Sequence, residues 1–130
     1  MGRWQLTRVI DDARAGLTGR LDGIATYTAQ PEGLLYAEVG RLRYGDRPAM
    51  EARRAYDWRA GPRGIEVWFD DGRPFHTIGP GLCPAVTHDC PPDVYAGAYD
   101  FTTWPAWQVS WQVSGPSKDY RMTSSYRPAD

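Results

Sequence analysis

The chain has 130 residues, 42% of them hydrophobic, and a formal net charge of −1 from 15 basic and 16 acidic side chains. That length suits one domain, residues 1–130, able to bury a core without staples. Neither sign of charge forms a long run, so no nucleic-acid or acidic-membrane footprint is visible, and no window reaches the ~18 apolar residues of a membrane span.

In chain order, RVIDDARAG (8–16) reads as a short helix, because Val9 and Ala13 are four apart and Gly16 can end it. Alternation follows. Over 19–28, Leu21, Gly23, Ala25 and Tyr27 share a side, and Pro31 and Gly33 mark a turn. The run 34–44 ends at Gly45-Asp46, and 48–58 puts Met50, Ala52, Arg54, Tyr56 and Trp58 on one face. After AGPRG, Ile65, Val67 and Phe69 alternate with Glu66 and Trp68. Asp71-Gly72 then signals a hairpin into RPFHTI.

Residues 79–92 carry four prolines and two glycines and read as a long irregular connection, a flap or rim. Strands resume over 94–103, 106–114 and 120–127. In the second of these, Trp107, Val109, Trp111 and Val113 oppose Gln108, Ser110, Gln112 and Ser114. Pro128 to Asp130 read as a loose tail. The expected fold is all-β: about eight antiparallel strands in an up-and-down barrel, with a short N-terminal helix. A barrel is preferred to a sandwich because closure removes exposed edges. Eight strands leave room for side chains or one small ligand.

Six Trp and eight Tyr against three Phe form a polar-tipped aromatic set that suits strands or a pocket wall. Two cysteines make no disulfide framework, and no charged start leads into an apolar run as in a secretory leader. A soluble cytoplasmic protein is expected, monomeric or a small homo-oligomer.

The segments RAYDW (54–58), DGRPFH (71–76), HDCPPDVYAGAYDF (88–101) and WQVSGPSKDYRMTSSYR (111–127) span most of the chain. Together they resemble an uncharacterised bacterial family, a domain of unknown function marked by W-x-V-x-G-P-x-K-D-Y at Trp111–Tyr120. More distantly the chain is similar to the calycins, the lipocalin, fatty-acid-binding and nitrobindin-like barrels. Their opening G-x-W-x-G strand corresponds to GRLDG (19–23), with Leu21 in place of tryptophan, or to Gly2-Arg3-Trp4. That likeness implies a ligand-holding barrel, with Arg127 packed across Trp4. A nitrobindin-like haem site needs a histidine near the C-terminus. None follows His88, so no cofactor is expected.

Both histidines and both cysteines fall in one window, His76-x6-Cys83-x4-His88-x-Cys90. Structural zinc prefers tighter pairs, so no metal site is expected. Cys90 with His76 or His88 could form a thiol dyad, oriented by Asp89 or Asp93. The preferred reading makes each Cys a small buried residue and each His a hydrogen-bonded one.

The site expected instead is the barrel interior, with residues 71–95 at its rim. Arg54 would meet Glu38, Glu51 or the carboxylate or phosphate of a ligand, since its planar fork suits such groups. A register slip of one residue would turn Arg54 to solvent. Tyr56, His76, His88 and Tyr99 would supply polar contacts, Trp58 and Trp111 apolar walls, and Lys118 a cation at the mouth. The function expected is binding of a small anionic or amphipathic molecule. Two alternatives are an enzyme using His76 or His88 as general acid or base, and a protein-interaction module with an exposed tryptophan patch.

Overall fold

In the computed structural model, which describes residues 2–129, alternation runs further than those eight segments. Ten strands form: β1 (Gly2–Asp12), β2 (Leu17–Gln30), β3 (Gly33–Tyr44), β4 (Met50–Gly61), β5 (Gly64–Phe69), β6 (Pro74–Ile78), β7 (Ala85–Cys90), β8 (Asp93–Asp100), β9 (Trp107–Ser114) and β10 (Asp119–Pro128). Each pairs antiparallel with its neighbours in the order β6-β5-β4-β3-β2-β1-β10-β9-β8-β7. The two outer strands come side by side, so the sheet curls into a nearly closed barrel rather than a sandwich.

The expected helix over 8–16 is not formed. Buried side chains fall at Trp4, Leu6, Arg8 and Ile10, a period of two that belongs to a strand. Laddered to β2 on one side and β10 on the other, β1 satisfies its backbone groups across both edges. Only Ala13–Gly16 turn, with Gly16 at φ 65° and the Asp12 carboxylate accepting from the Ala15 amide at 2.9 Å.

The second added strand, β7, lies inside the connection 79–92. It pairs only with β8, and at an edge the flanking Pro84 and Pro91 interrupt no ladder. The C-terminal tail is also shorter than expected. Pro128 pairs with Trp4, and the Ala129 amide donates to the Arg3 carbonyl at 2.9 Å. Asp130 lies outside the described residues.

Between β6 and β7 the ring is not laddered, and side chains close it. Ile78 and Val86 are buried. Phe75 packs against His88 with ring centres 5.1 Å apart. A bulge helps: Val67 pairs with His76 and Trp68 with Pro74, leaving Phe75 unpaired. Consequently Phe75 and His76, though adjacent, both line the interior.

The β6–β7 and β8–β9 connections close one end of the barrel. The Phe101 amide donates to the Leu82 carbonyl at 2.8 Å, and Trp4 donates its indole N–H to the Pro105 carbonyl at 2.8 Å. Residues 79–84 are therefore at the closed end, not at a rim; of the expected flap, His88, Asp89, Cys90 and Pro91 line the cavity. Arg127 donates to Gln5 at 3.4 Å instead of covering Trp4, whose aromatic neighbours are Tyr27 and Trp104.

Candidate functional site

A cavity of about 930 Å³ occupies the barrel. Its lining includes Asp12, Tyr44, Arg54, Arg73 and Tyr120 near one set of turns, but not Trp4, Leu6, Ala25 or Tyr27 from the other end. It therefore opens beside the β1–β2, β3–β4, β5–β6, β7–β8 and β9–β10 turns. Trp58, Trp107 and Tyr126 form the floor. Trp107 and Tyr126 stack face to face, with centres 3.8 Å apart and planes 4° from parallel.

Seven of the eight expected site residues line this cavity: Arg54, Tyr56, Trp58, His76, His88, Tyr99 and Trp111. Lys118 does not. It sits outside the wall, 3.0 Å from Asp93 Oδ2 and 3.5 Å from the Tyr95 hydroxyl. Gly115 leaves room for this carboxylate, because a Cβ there would collide with Asp93 Oδ1. The glycine and lysine of the G-P-x-K-D-Y turn thus brace β8.

His76 is nine-tenths buried, with Nε2 2.8 Å from the Tyr99 hydroxyl and Nδ1 unpartnered. Burial, with His88 nearby, pushes its pKa down to about 3, so the ring is neutral across the physiological range. Burial likewise raises the Tyr99 hydroxyl well above 10. His88 is half-buried among Phe69, Phe75 and Tyr95. Cys83 and Cys90 are exposed, which corrects their expected role as small buried residues.

On the wall opposite His76, Glu38, expected as a partner of Arg54, is bound instead by Arg8 and Tyr36, which the sequence analysis did not single out. Arg8 donates from Nη1 to Glu38 Oε2 at 2.6 Å and from Nη2 to Oε1 at 2.9 Å. Its Nε donates to Ser124 Oγ, the register partner on β10, at 2.7 Å. Tyr36 donates to Glu38 Oε1 at 2.6 Å and lies 2.8 Å from the Tyr126 hydroxyl. A carboxylate only accepts, so Tyr36 directs its one proton to Glu38 and accepts from Tyr126. Burial opposes the Glu38 charge, yet the Arg8 and Tyr36 hydrogen bonds outweigh it and hold the carboxyl below its ordinary 4.5. Burial opposes the Arg8 charge too, and Glu38 more than restores it. The signal for Arg8 was its place in the series Trp4, Leu6, Arg8, Ile10.

Four arginines line the cavity: Arg8, Arg53, Arg54 and Arg73. Arg8 pairs with Glu38, Arg53 with Glu51 at 2.7 Å and Arg73 with Asp71 at 2.8 Å. Among the described residues, Arg54 alone of the four has no ion pair. It stands across the ladder from Glu38, is exposed at the mouth, and pulls against the burial that raises the Tyr56 hydroxyl.

No curated protein matches the sequence. Among solved structures, the S-type phycobiliprotein lyase CPES from Guillardia theta is similar, with a TM-score of 0.68 and 7% identity, covering 100% of this chain and 88% of that one. At that identity the likeness is one of fold. A family model matches residues 1–128, and the chain belongs to the family of unknown function DUF6314.

Proposed function

We propose that this barrel binds a small amphipathic anion, with its apolar body on the aromatic floor and its carboxylate or phosphate at Arg54. The observation that carries this is the unpaired Arg54 at the mouth of a cavity whose other arginines are paired. A guanidinium without a carboxylate partner is suited to receive one. Asp12 and Asp89 share the rim, so Arg54 acts locally rather than through a positive field. Trp58, Trp107 and Trp111 supply apolar surface, and Tyr56, Tyr99 and His76 polar contacts, the usual make-up of a small-ligand site.

The other two classes have less support. A ring whose pKa lies near 3 is a poor general base at neutral pH, which weighs against His76 in that role and leaves the enzyme reading resting on His88. Of the six tryptophans only Trp104 is exposed, so they form no surface patch. The structural neighbour is a phycobiliprotein lyase, and 7% identity carries no activity across.

The test is a titration with 2-naphthoic acid, followed by tryptophan fluorescence, alongside native mass spectrometry of protein purified from its own source. Saturable binding is expected. Losing a charge-assisted hydrogen bond in Arg54→Leu should weaken it about tenfold or more while the barrel stays folded. Undiminished binding by that variant would remove Arg54 from the site.

A further inference from the structure

The Arg8–Glu38 pair holds unused hydrogen-bonding capacity. A guanidinium has five N–H groups. Arg8 uses one from Nε on Ser124 and one from each Nη on Glu38, leaving one N–H on each Nη. Glu38 Oε1 accepts from both Arg8 and Tyr36, whereas Oε2 accepts only from Arg8. A spare donor on Nη1 and a spare acceptor on Oε2 thus belong to atoms 2.6 Å apart. Both side chains are more than nine-tenths buried and both line the cavity.

The pair is neutral as a unit. A second carboxylate at this point would meet the Glu38 charge at short range, in a setting where unpaired charge is costly. A neutral group with an acceptor and a donor side by side meets no such penalty. It can accept from Arg8 and donate to Glu38 Oε2.

We infer that the Arg8–Glu38 edge is a second subsite, selecting ligands that carry a neutral primary amide or lactam, whose oxygen and N–H lie on the same side, in addition to the anionic group held by Arg54. This rests on the small-molecule reading above and narrows it. The ligand is a mono-anion with two polar ends. Dianions of the same shape gain nothing from the subsite.

Three probes separate these claims: 2-naphthoic acid, 6-carbamoyl-2-naphthoic acid and naphthalene-2,6-dicarboxylic acid. The carbamoyl acid should bind about tenfold more tightly than 2-naphthoic acid, the scale of a hydrogen bond to a charged group, and the diacid no more tightly than 2-naphthoic acid. The double variant Arg8→Met/Glu38→Leu replaces the ion pair by apolar groups. It should keep the wild-type circular dichroism and lose the carbamoyl preference, the ratio of carbamoyl-acid to 2-naphthoic acid affinity falling from about ten to about one. Should the carbamoyl group add nothing, or the diacid bind as well as the carbamoyl acid, the subsite is wrong while the Arg54 reading stands. Should none of the three bind and no small molecule be retained in native mass spectrometry, both fall together.

Discussion

Across the unladdered side of the barrel, Nε2 of His76 on β6 lies 2.8 Å from the hydroxyl of Tyr99 on β8. The ring is buried, and its pKa is lowered from 6.5 to about 3. In the unfolded chain it takes up a proton below about 6.5; in the barrel it does not. Its contribution to stability is therefore full above that pH and is lost as pH falls toward 3. Urea midpoints should drop between pH 8 and pH 5, by about 2 kcal/mol in stability at the lower end. His76→Gln keeps a hydrogen-bonding group that does not titrate, and should lack this slope. An identical slope in the variant would place the proton uptake elsewhere.

Arg8 and Glu38 face each other in a buried bidentate pair. Removing one partner leaves a buried charge uncompensated, so Arg8→Met should cost about 3–5 kcal/mol. Arg8→Met/Glu38→Leu should recover most of that loss, because an apolar pair of similar volume avoids the desolvation of both ions. Tyr36 retains Tyr126 as a partner in the double variant. Denaturant midpoints of the three proteins decide the matter, and a double variant less stable than Arg8→Met would contradict it.

At Gly23 the backbones of β2 and β3 approach closely. A Cβ there would lie 2.3 Å from the Val39 carbonyl oxygen and 2.7 Å from the Gly40 Cα. Backbone atoms cannot swing aside, so Gly23→Ala should destabilise by about 1–3 kcal/mol, the range of overpacking. Gly79→Ala is the control, since nothing lies within 4 Å of the added carbon. Equal thermal midpoints for the two variants would show that the barrel wall relaxes freely at Gly23.

The lack of a ladder between β6 and β7 should be visible in amide exchange. Amides of β1, held by β2 on one side and β10 on the other, should be the slowest. Amides of β6 and β7 that point into the seam should exchange orders of magnitude faster. Uniform protection around the ring would mean that the seam is hydrogen-bonded in solution.

The period-two pattern made seven of the strands legible, and the Asp71-Gly72 hairpin signal made the eighth, β6, whose alternation the bulge at Phe75 breaks. Two strands were hidden for different reasons. In β1, Asp11-Asp12 and the Val9–Ala13 spacing imitate a helix start, and the competing signal is carried partly by an arginine. In β7, the prolines at 84, 91 and 92 suggest a break, although an edge strand tolerates them at its ends. The β4 side of the cavity was easier to anticipate than the wall that carries Arg8. Arg54, Tyr56 and Trp58 share one strand, so alternation groups them. Arg8 meets Glu38 and Ser124 from 30 and 116 residues away, and no local pattern reports a contact of that range.

Because aromatic rings rather than backbone ties close the circle between β6 and β7, the bore of this barrel is a side-chain property. Neither Phe75 nor His88 ties β6 to β7 through the backbone, so a smaller side chain at either position should loosen this seam and leave the β5–β6 and β7–β8 ladders in place. On the proposed binding role, the size of the molecule admitted would then depend on these two side chains.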